Sequence, residues 1–452
     1  MPVRLSCFCA LTAVAAIACP AAAQEAEGLK VSGSMRLRYE AISGQARTGF
    51  DRKDDLVNLR TQVMAEYNAK PFRFVVEVFD SRVWGDDPGT PVTTGEVNAL
   101  EPVQAFVAAD LGAIFGKGSK ASLQAGRFML NLGSRRLVAA DDYRNTTNGY
   151  TGLRADVAVP GGMKGTFVYT LPQVRLPDDP ASLRDAEVEL DRESFDLVLW
   201  GGYVSKSWAA KGAASPVMAE VGFFHLGERD APGRPTRDRS LDTISGRIIA
   251  EPKPGQFDYE VEAIYQWGDV SSSLLANAAR LPVSATFFHA DAGYSFGGGW
   301  KPRLSVEFDR ASGDGRGRSF GRFDTLFGMR RADLAPAGLY NAIARTNVVT
   351  PGVRLEVTPS KRLDAFVTYR GLWLADRRDA FSSTGVRDAS GQSGSFAGQQ
   401  FDARLRYWLI PDRLRFEADA VLLMKGRFLR DAPNAPAGRT TRYGSVNLSV
   451  SF

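Results

Sequence analysis

The chain has 452 residues, of which 44% are hydrophobic and 24% are charged, and its formal net charge is +5. This charge excess is too small to indicate an electropositive protein, and we expect no nucleic-acid partner. All three cysteines (Cys7, Cys9 and Cys19) lie near the amino terminus, and beyond them no stretch approaches the ~20 consecutive apolar residues of a membrane-spanning helix.

Residues 1–23 have the features of a secretory signal peptide. Arg4 supplies the positive charge, Leu11 to Cys19 form an apolar segment, and three alanines ending at Ala23 form a small-residue cleavage site. The chain is therefore predicted to be exported. Because the cysteines would leave with the signal, the mature protein would be stabilised without disulfides, as a closed barrel is.

Apolar and polar residues alternate along many segments of the mature chain. Between residues 256 and 268, apolar side chains at every second position oppose Asp258, Glu260 and Glu262. Strict alternation predicts extended strands with one apolar face. It predicts eighteen strands, near residues 29–42, 56–67, 71–81, 101–111, 120–129, 152–159, 162–171, 194–208, 215–226, 240–250, 256–268, 284–296, 301–309, 347–357, 361–374, 398–410, 413–425 and 442–452.

The last predicted strand favours a membrane barrel over a soluble sheet. Val446, Leu448, Val450 and Phe452 alternate with polar residues up to the carboxyl terminus, as is typical of the closing strand of an outer-membrane barrel. Tyr443 is out of phase with this apolar face. A soluble sandwich rarely places a charge at nearly every inward position, because buried charges must be paired. The charged face therefore indicates a water-filled interior.

The predicted connections alternate in length. Short turns such as 160–161 and 410–412 alternate with long loops such as 310–346. Short periplasmic turns and long extracellular loops are typical of outer-membrane barrels. We therefore predict a signal peptide over 1–23 and one all-β domain over 24–452, a transmembrane antiparallel barrel in the bacterial outer membrane. Eighteen strands leave room for an aqueous channel.

Strand phase predicts which charged side chains face the interior. On the first five and last five strands the inward charges are mostly basic: Lys30, Arg36, Arg38, Arg60, Arg73, Arg127, Arg354, Arg362, Arg370, Arg404, Arg406, Arg415 and Lys425. On the eight middle strands they are mostly acidic: Asp156, Asp196, Glu220, Asp258, Glu260, Glu262, Asp291, Glu307 and Asp309. Since the last strand must pair with the first, a basic wall would flank the closing seam and face an acidic wall.

Three interpretations of these charges are open. A polyanion could move along the basic wall, because arginines keep their charge and bind carboxylates through paired donors. The opposed walls could instead create a transverse field suited to a general porin. In the third interpretation, the charges pair across neighbouring strands and leave little field.

An enzymatic function is not predicted. The chain has two histidines, His225 and His289, and no Gly-x-Ser-x-Gly nucleophile motif. Two histidines without cysteines in the mature chain also make a transition-metal site a poor interpretation. We expect neither a cofactor nor a metal.

A family resemblance distinguishes between the interpretations. Residues 124–157 contain short motifs in a fixed order: Gln-Ala-Gly-Arg at 124–127, Leu-Asn-Leu-Gly at 130–133, Arg-Arg-Leu-Val at 135–138, Asp-Tyr-Arg-Asn at 142–145 and Gly-Leu-Arg at 152–154. Later motifs follow at 328–333, 378–380, 398–402 and 426–428. Together they resemble the alginate export family of eighteen-stranded outer-membrane barrels.

The resemblance implies a passive channel that passes an anionic polysaccharide or oligosaccharide, such as a polyuronate, through an arginine-rich constriction with plugging loops. Arg127 and Arg154 match the motifs as lumen arginines, and Arg136 and Arg144 lie in the matching loop. The alternative for Arg127 is that it anchors the 130–151 loop through acids such as Asp141 or Asp142. The runner-up function is a nutrient-uptake porin for small anionic or polar solutes.

Other partners are expected outside the lumen. A barrel of this kind contacts outer-membrane lipid, and one loop carries a basic run that could bind lipopolysaccharide phosphates or recruit a polyanion: Arg310, Arg316, Arg318, Arg322, Arg330 and Arg331. The same run could be only a solvated face. An export channel would also work with periplasmic partners, which the sequence does not identify.

Overall fold

The computed structural model describes residues 28–209, 216–329 and 334–452. The predicted signal peptide, residue 215 of the ninth predicted strand, and Arg330 and Arg331 of the basic run lie outside these residues. So does most of the motif at 328–333.

The described residues form one closed sheet of eighteen antiparallel strands. The strands are β1 (Gly28–Ser43), β2 (Lys53–Ala69), β3 (Phe72–Trp84), β4 (Asn98–Gly112), β5 (Lys120–Met129), β6 (Gly149–Val159), β7 (Met163–Pro172), β8 (Leu197–Trp208), β9 (Val217–Glu228), β10 (Ser240–Ala250), β11 (Gln256–Ser271), β12 (Arg280–Ser295), β13 (Arg303–Ala311), β14 (Val348–Ser360), β15 (Leu363–Trp373), β16 (Phe396–Ile410), β17 (Leu414–Lys425) and β18 (Thr440–Ser451). Each strand pairs with its neighbours in sequence, and β1 pairs with β18 from Ser34↔Ser451 to Ser43↔Arg442. Closure leaves no strand edge, which is what a sheet inside hydrocarbon requires.

The predicted barrel and its strand count are confirmed. β8 begins at Leu197 rather than at residue 194, whereas several other strands extend up to four residues beyond the predicted limits, as where β12 begins at Arg280 rather than at residue 284. The reason is that backbone pairing continues past the apolar band into polar segments, where alternation no longer marks the strand. Arg362 was predicted on a strand but lies in the turn between β14 and β15 and is exposed.

The two faces of β18 are those that alternation predicts. Val446, Leu448 and Phe452 are 45%, 41% and 56% exposed on the outer face. The out-of-phase Tyr443 is buried on the inner face, where its hydroxyl donates a hydrogen bond to Glu40 Oε2 at 3.0 Å. It is therefore an interior residue rather than an irregularity in the outer face.

Two short helices lie in the long connections, α1 (Pro180–Asp185) between β7 and β8 and α2 (Arg427–Asp431) between β17 and β18. No described helix is both long and apolar enough to span a membrane. The buried apolar cluster is formed largely by loop residues, together with strand residues close to the ends that adjoin the long loops. Loops therefore fill the extracellular half of the barrel.

Candidate channel lumen

The β5–β6 loop (residues 130–148) folds into the barrel. It makes a small hairpin in which Leu132 N donates to Val138 O at 3.1 Å. Leu130, Leu137 and Val138 are fully buried. Their apolar surroundings come partly from buried strand residues such as Phe128 and partly from a second inserted segment.

That segment is the β13–β14 loop (residues 312–347). Phe327 pairs with Val138 in a parallel bridge, and backbone hydrogen bonds join Ala139 N to Phe327 O at 3.1 Å and Phe327 N to Leu137 O at 2.9 Å. Leu334, Leu339 and other apolar residues of this loop are buried in the same cluster. The two loops thus share a small core inside the barrel.

Arginines of the predicted basic wall hold the β5–β6 loop by its backbone. Arg36 and Arg60 are direct cross-strand partners on β1 and β2. Arg36 donates to Asp142 O at 3.0 Å and to Arg144 O at 2.7 Å, and Arg60 donates to Arg144 O at 3.1 Å. Carbonyl oxygens accept several such bonds, so the loop backbone compensates two adjacent cations.

Arg38 contacts the same loop through an aromatic ring. Its guanidinium lies 3.9 Å from the centroid of the Tyr143 ring, and it is 3.4 Å from Glu40. The Tyr143 hydroxyl in turn is 2.8 Å from the Tyr443 hydroxyl on β18. The loop is therefore attached to both strands of the closing seam.

The opposite side of the β5–β6 loop is attached to the acidic wall. Arg136 Nη1 lies 2.5 Å from Glu260 Oε1 and 2.6 Å from Glu262 Oε2 on β11. Arg136 and Glu262 are 4% and 0% exposed. Ser134 Oγ also donates to Glu262 Oε1 at 3.1 Å. The two predicted walls therefore serve as opposite attachment points for one loop.

Arg127, predicted as a lumen arginine, contacts a loop, but not the 130–151 loop of the alternative interpretation. It is 2.5 Å from Glu101 Oε1 on β4 and 2.7 Å from Glu193 Oε2 in the β7–β8 loop (residues 173–196). Asp141 is instead paired with Arg144, 3.2 Å away. The alternative interpretation considered the loop nearest in sequence, but a residue at the extracellular end of a strand contacts whichever loop folds over it.

Arg154, Arg404 and Arg406 lie on the wall itself and pair with neighbouring carboxylates. Arg154 is 2.7 Å from Asp156. Arg404 and Arg406 are 3.4 Å and 2.9 Å from Asp364. For these residues the structure favours the third interpretation, in which charges pair locally. Arg36, Arg38, Arg60, Arg127, Arg136 and Arg144 instead hold loops or belong to one.

Sequence reasoning from charge did not identify Asn145. Its amide Nδ2 donates to Leu59 O, Arg82 O and Glu96 O at 3.2, 3.2 and 2.9 Å, while Ser81 Oγ donates to Asn145 O at 2.6 Å. This uncharged residue therefore fixes the β5–β6 loop to β2, β3 and the β3–β4 loop. Its place in the 142–145 motif was the only signal available.

The β7–β8 loop contains a carboxyl group that titrates near neutral pH. Asp191 accepts hydrogen bonds from Asn98 Nδ2 at 2.9 Å and from Leu176 N at 3.1 Å, and its own N–H donates to Glu101 Oε2 at 2.9 Å. Burial and the nearby Glu101 carboxylate raise the pKa of Asp191 from 3.8 to about 7. The docked loop therefore binds a proton that an unstructured loop would release.

We expect docking of the β7–β8 loop to weaken as pH rises from 3.8 to about 7, the window between the two pKa values of Asp191, and then to level off. Hydrogen–deuterium exchange at pH 4.5 and pH 8, corrected for intrinsic rates, measures this as a loss of protection in residues 173–196. Asp191→Asn should keep the loop protected at pH 8, because the amide is neutral and still accepts both hydrogen bonds. Asp178→Asn, an exposed control in the same loop, should keep the wild-type pH dependence; equal protection of the wild type at both pH values contradicts the prediction.

The periplasmic half of the barrel contains a cavity of ≈ 1020 Å³ beside β2–β7. We call it the periplasmic vestibule. Its charged lining is mostly basic: Lys70, Arg73, Lys120, Arg154 and Lys164 against Asp110 and Asp156. The three lysines form no ion pair within residues 28–209, 216–329 and 334–452. The vestibule therefore has an uncompensated positive charge.

Both histidines are engaged with carboxylates on neighbouring strands. His225 Nδ1 is 2.8 Å from Asp242, and His289 Nδ1 is 2.8 Å from Asp309. The antiparallel register places Asp309 on β13 directly opposite His289. Each pair joins two side chains at directly opposite positions on neighbouring strands.

A closed eighteen-stranded barrel with an apolar outer face and a charged interior defines an outer-membrane channel. The sequence profile described as alginate export matches residues 28–442, and the chain belongs to the alginate export family. Its location is the bacterial outer membrane. The family and the fold are those of transport channels, which are not enzymes.

Solved structures of outer-membrane channels share the fold. Pseudomonas aeruginosa OccD3 (OpdP) aligns with a TM-score of 0.55 at 11% identity, over 94% of this chain and 91% of that chain. P. aeruginosa OccK2 (OpdF), solved in complex with glucuronate, aligns with a TM-score of 0.55 at 13% identity, over 94% and 96%. Acinetobacter baumannii OccAB1 aligns with a TM-score of 0.55 at 11% identity, over 93% and 96%. No curated protein matches the chain significantly.

Proposed function

We propose that this protein is a passive outer-membrane channel for an anionic polysaccharide or oligosaccharide of the polyuronate class. The observation that carries the proposal is the basic periplasmic vestibule, where Lys70, Lys120 and Lys164 have no described ion-pair partner. Uncompensated positive charge in a water-filled cavity raises the local concentration of anions. Membership of the alginate export family supports the same class of solute.

The proposed solute path is lined by arginines of the wall, and the arginines that hold the β5–β6 loop join it only when that loop is released. Arg154, Arg404 and Arg406 lie on the wall, with 26%, 20% and 31% of their side chains exposed, and each is partly neutralised by a carboxylate. Passage of a polymer would release the β5–β6 loop from Arg36 and Arg60. Those arginines would then exchange loop carbonyls for solute carboxylates, which accept stronger, charge-assisted hydrogen bonds.

The second candidate is a nutrient-uptake porin for small anionic or polar solutes. It is favoured by the loops that fill the extracellular half, since a small solute requires less loop displacement than a polymer. OccK2, one of the structural neighbours, was solved with glucuronate. Permeation by glucuronate without block by a polyuronate would support this candidate over the polymer channel.

The test is ion selectivity measured in planar bilayers. We expect the wild type to prefer anions, and Lys120→Glu with Lys164→Glu to reduce or reverse that preference, because the substitutions reverse the vestibule charge. The matched control is Lys301→Glu with Lys361→Glu, which changes the same charge in periplasmic turns on the other side of the barrel. If both double variants shift the reversal potential equally, the vestibule does not set selectivity and this support is lost.

A further inference from the structure

A second cavity, of ≈ 320 Å³, lies among the extracellular loops, away from the vestibule. It is lined by the β1–β2 loop (residues 44–52) and the β17–β18 loop (residues 426–439). Arg47 and Arg52 line it and no acidic residue does. Nearby, the ammonium group of Lys425 donates to Gln45 O at 3.0 Å and Pro436 O at 3.3 Å. We call this cavity the outer cationic pocket.

Arg47 lines the outer cationic pocket, and some of its N–H donors have no hydrogen-bond acceptor among the described residues. Its guanidinium lies 4.5 Å from the centroid of the Phe50 ring. A contact with the ring face uses the charge but leaves the in-plane N–H groups available. Arg47 Nε and Nη1 are shielded from water and have no hydrogen-bond acceptor among the described residues. Buried donors without acceptors are costly, so a small rotation of the guanidinium that brings these donors to a bound acceptor in the cavity would be stabilising.

The electrostatic surroundings favour an anion as that acceptor. Burial lowers the pKa of Arg47, and the only opposing influence of note is Glu96, which forms no ion pair with it among the described residues. The Glu96 carboxylate is occupied by Thr93, whose N–H and hydroxyl donate to it at 3.0 and 2.8 Å. The charge of Arg47 is therefore incompletely compensated within the protein.

We propose that the outer cationic pocket binds a carboxylate of an acidic saccharide at the extracellular mouth, with Arg47 as the main ligand and Arg52 as a second. This proposal rests on the proposed function for the class of solute but not on the vestibule. The volume of the pocket accommodates one acidic sugar unit and no more. It would therefore hold a chain end or a single sugar residue while the rest of the saccharide lies outside. It is a docking site on the path and is separate from the lumen arginines.

The test is isothermal titration calorimetry of the full-length barrel in detergent with a uronate trisaccharide. Arg47→Gln should weaken binding by about tenfold or more, because it replaces the longer, charged guanidinium with a neutral amide and removes a charge-assisted interaction. Arg52→Gln should weaken it less, and Arg47→Lys should restore part of the loss. The matched control is Arg316→Gln, an exposed arginine of the β13–β14 loop that lines neither cavity.

Each outcome bears on the pocket separately from the vestibule. Loss of trisaccharide binding in Arg47→Gln with wild-type ion selectivity supports the pocket, and heat-modifiable gel mobility confirms that the variant barrel is folded. Equal weakening by Arg316→Gln would show nonspecific charge attraction and overturn the site. Binding of inorganic phosphate without binding of the trisaccharide would also overturn it, since the ligand would then be a phosphate such as that of lipopolysaccharide.

Discussion

Replacing residues 131–147 with two glycines is expected to raise single-channel conductance several-fold. The replacement is geometrically simple, because Met129 pairs directly with Gly149 at the ends of β5 and β6. It removes the loop that Arg36, Arg38 and Arg60 hold on one wall and that Glu260 and Glu262 hold on the other. The β13–β14 loop would also lose its backbone pairing with Val138.

The matched control replaces residues 273–278 with two glycines. That connection also joins adjacent strands, but Leu274 and Leu275 are 55% and 76% exposed and the segment lies outside the apolar cluster. Conductance should stay at the wild-type level in the control. An unchanged conductance in the 131–147 variant would mean that the β13–β14 loop alone closes the extracellular half.

Substituting Arg136 by Met is expected to detach the β5–β6 loop from the acidic wall. The change leaves the buried Glu262 without its cation and leaves the partly buried Glu260 with Arg247 alone, 3.4 Å away. Breaking a buried pair by removing one partner costs about 3–5 kcal/mol. This cost applies to loop docking, since the barrel strands keep their backbone pairing. We expect frequent large conductance transitions in bilayer recordings and faster hydrogen exchange in residues 130–148.

A variant that also neutralises the two glutamates separates the effect of their uncompensated charge from the effect of the lost contact with Arg136. Arg136→Met combined with Glu260→Gln and Glu262→Gln removes the stranded charges, so much of the docking should return. The control Arg135→Met changes the preceding residue, which is 40% exposed and lies 3.5 Å from an exposed carboxylate of Asp142. Similar recordings from the Arg135 and Arg136 variants would contradict a specific role for the buried pair.

The barrel could be predicted in detail because its determinants are local. Alternation with period two identifies a strand, and turn length identifies which end of the strand lies in the periplasm. Closure then requires β18 to pair with β1, and strand phase places Arg36, Arg38 and Glu40 on the inner face. Even the out-of-phase Tyr443 becomes an inner-face residue by the same rule.

The roles of the inner-face charges could not be predicted in this way. Strand phase shows that Arg36 and Arg127 point inward, but it does not show what occupies the space they point into. The partners are Asp142 O and Arg144 O for one, and Glu101 and Glu193 for the other. These contacts join residues up to 108 positions apart.

The sequence by itself determined that this chain is an exported, eighteen-stranded outer-membrane barrel with a charged interior, because those properties depend on residue alternation and on local turns. Only the tertiary structure decided that arginines assigned to a solute path hold loops, and that free positive charge remains in the periplasmic vestibule and the outer cationic pocket. The physical reason is that a charge acts through whatever lies within a few ångströms of it. In a wide barrel that neighbour is a loop whose path no periodicity encodes.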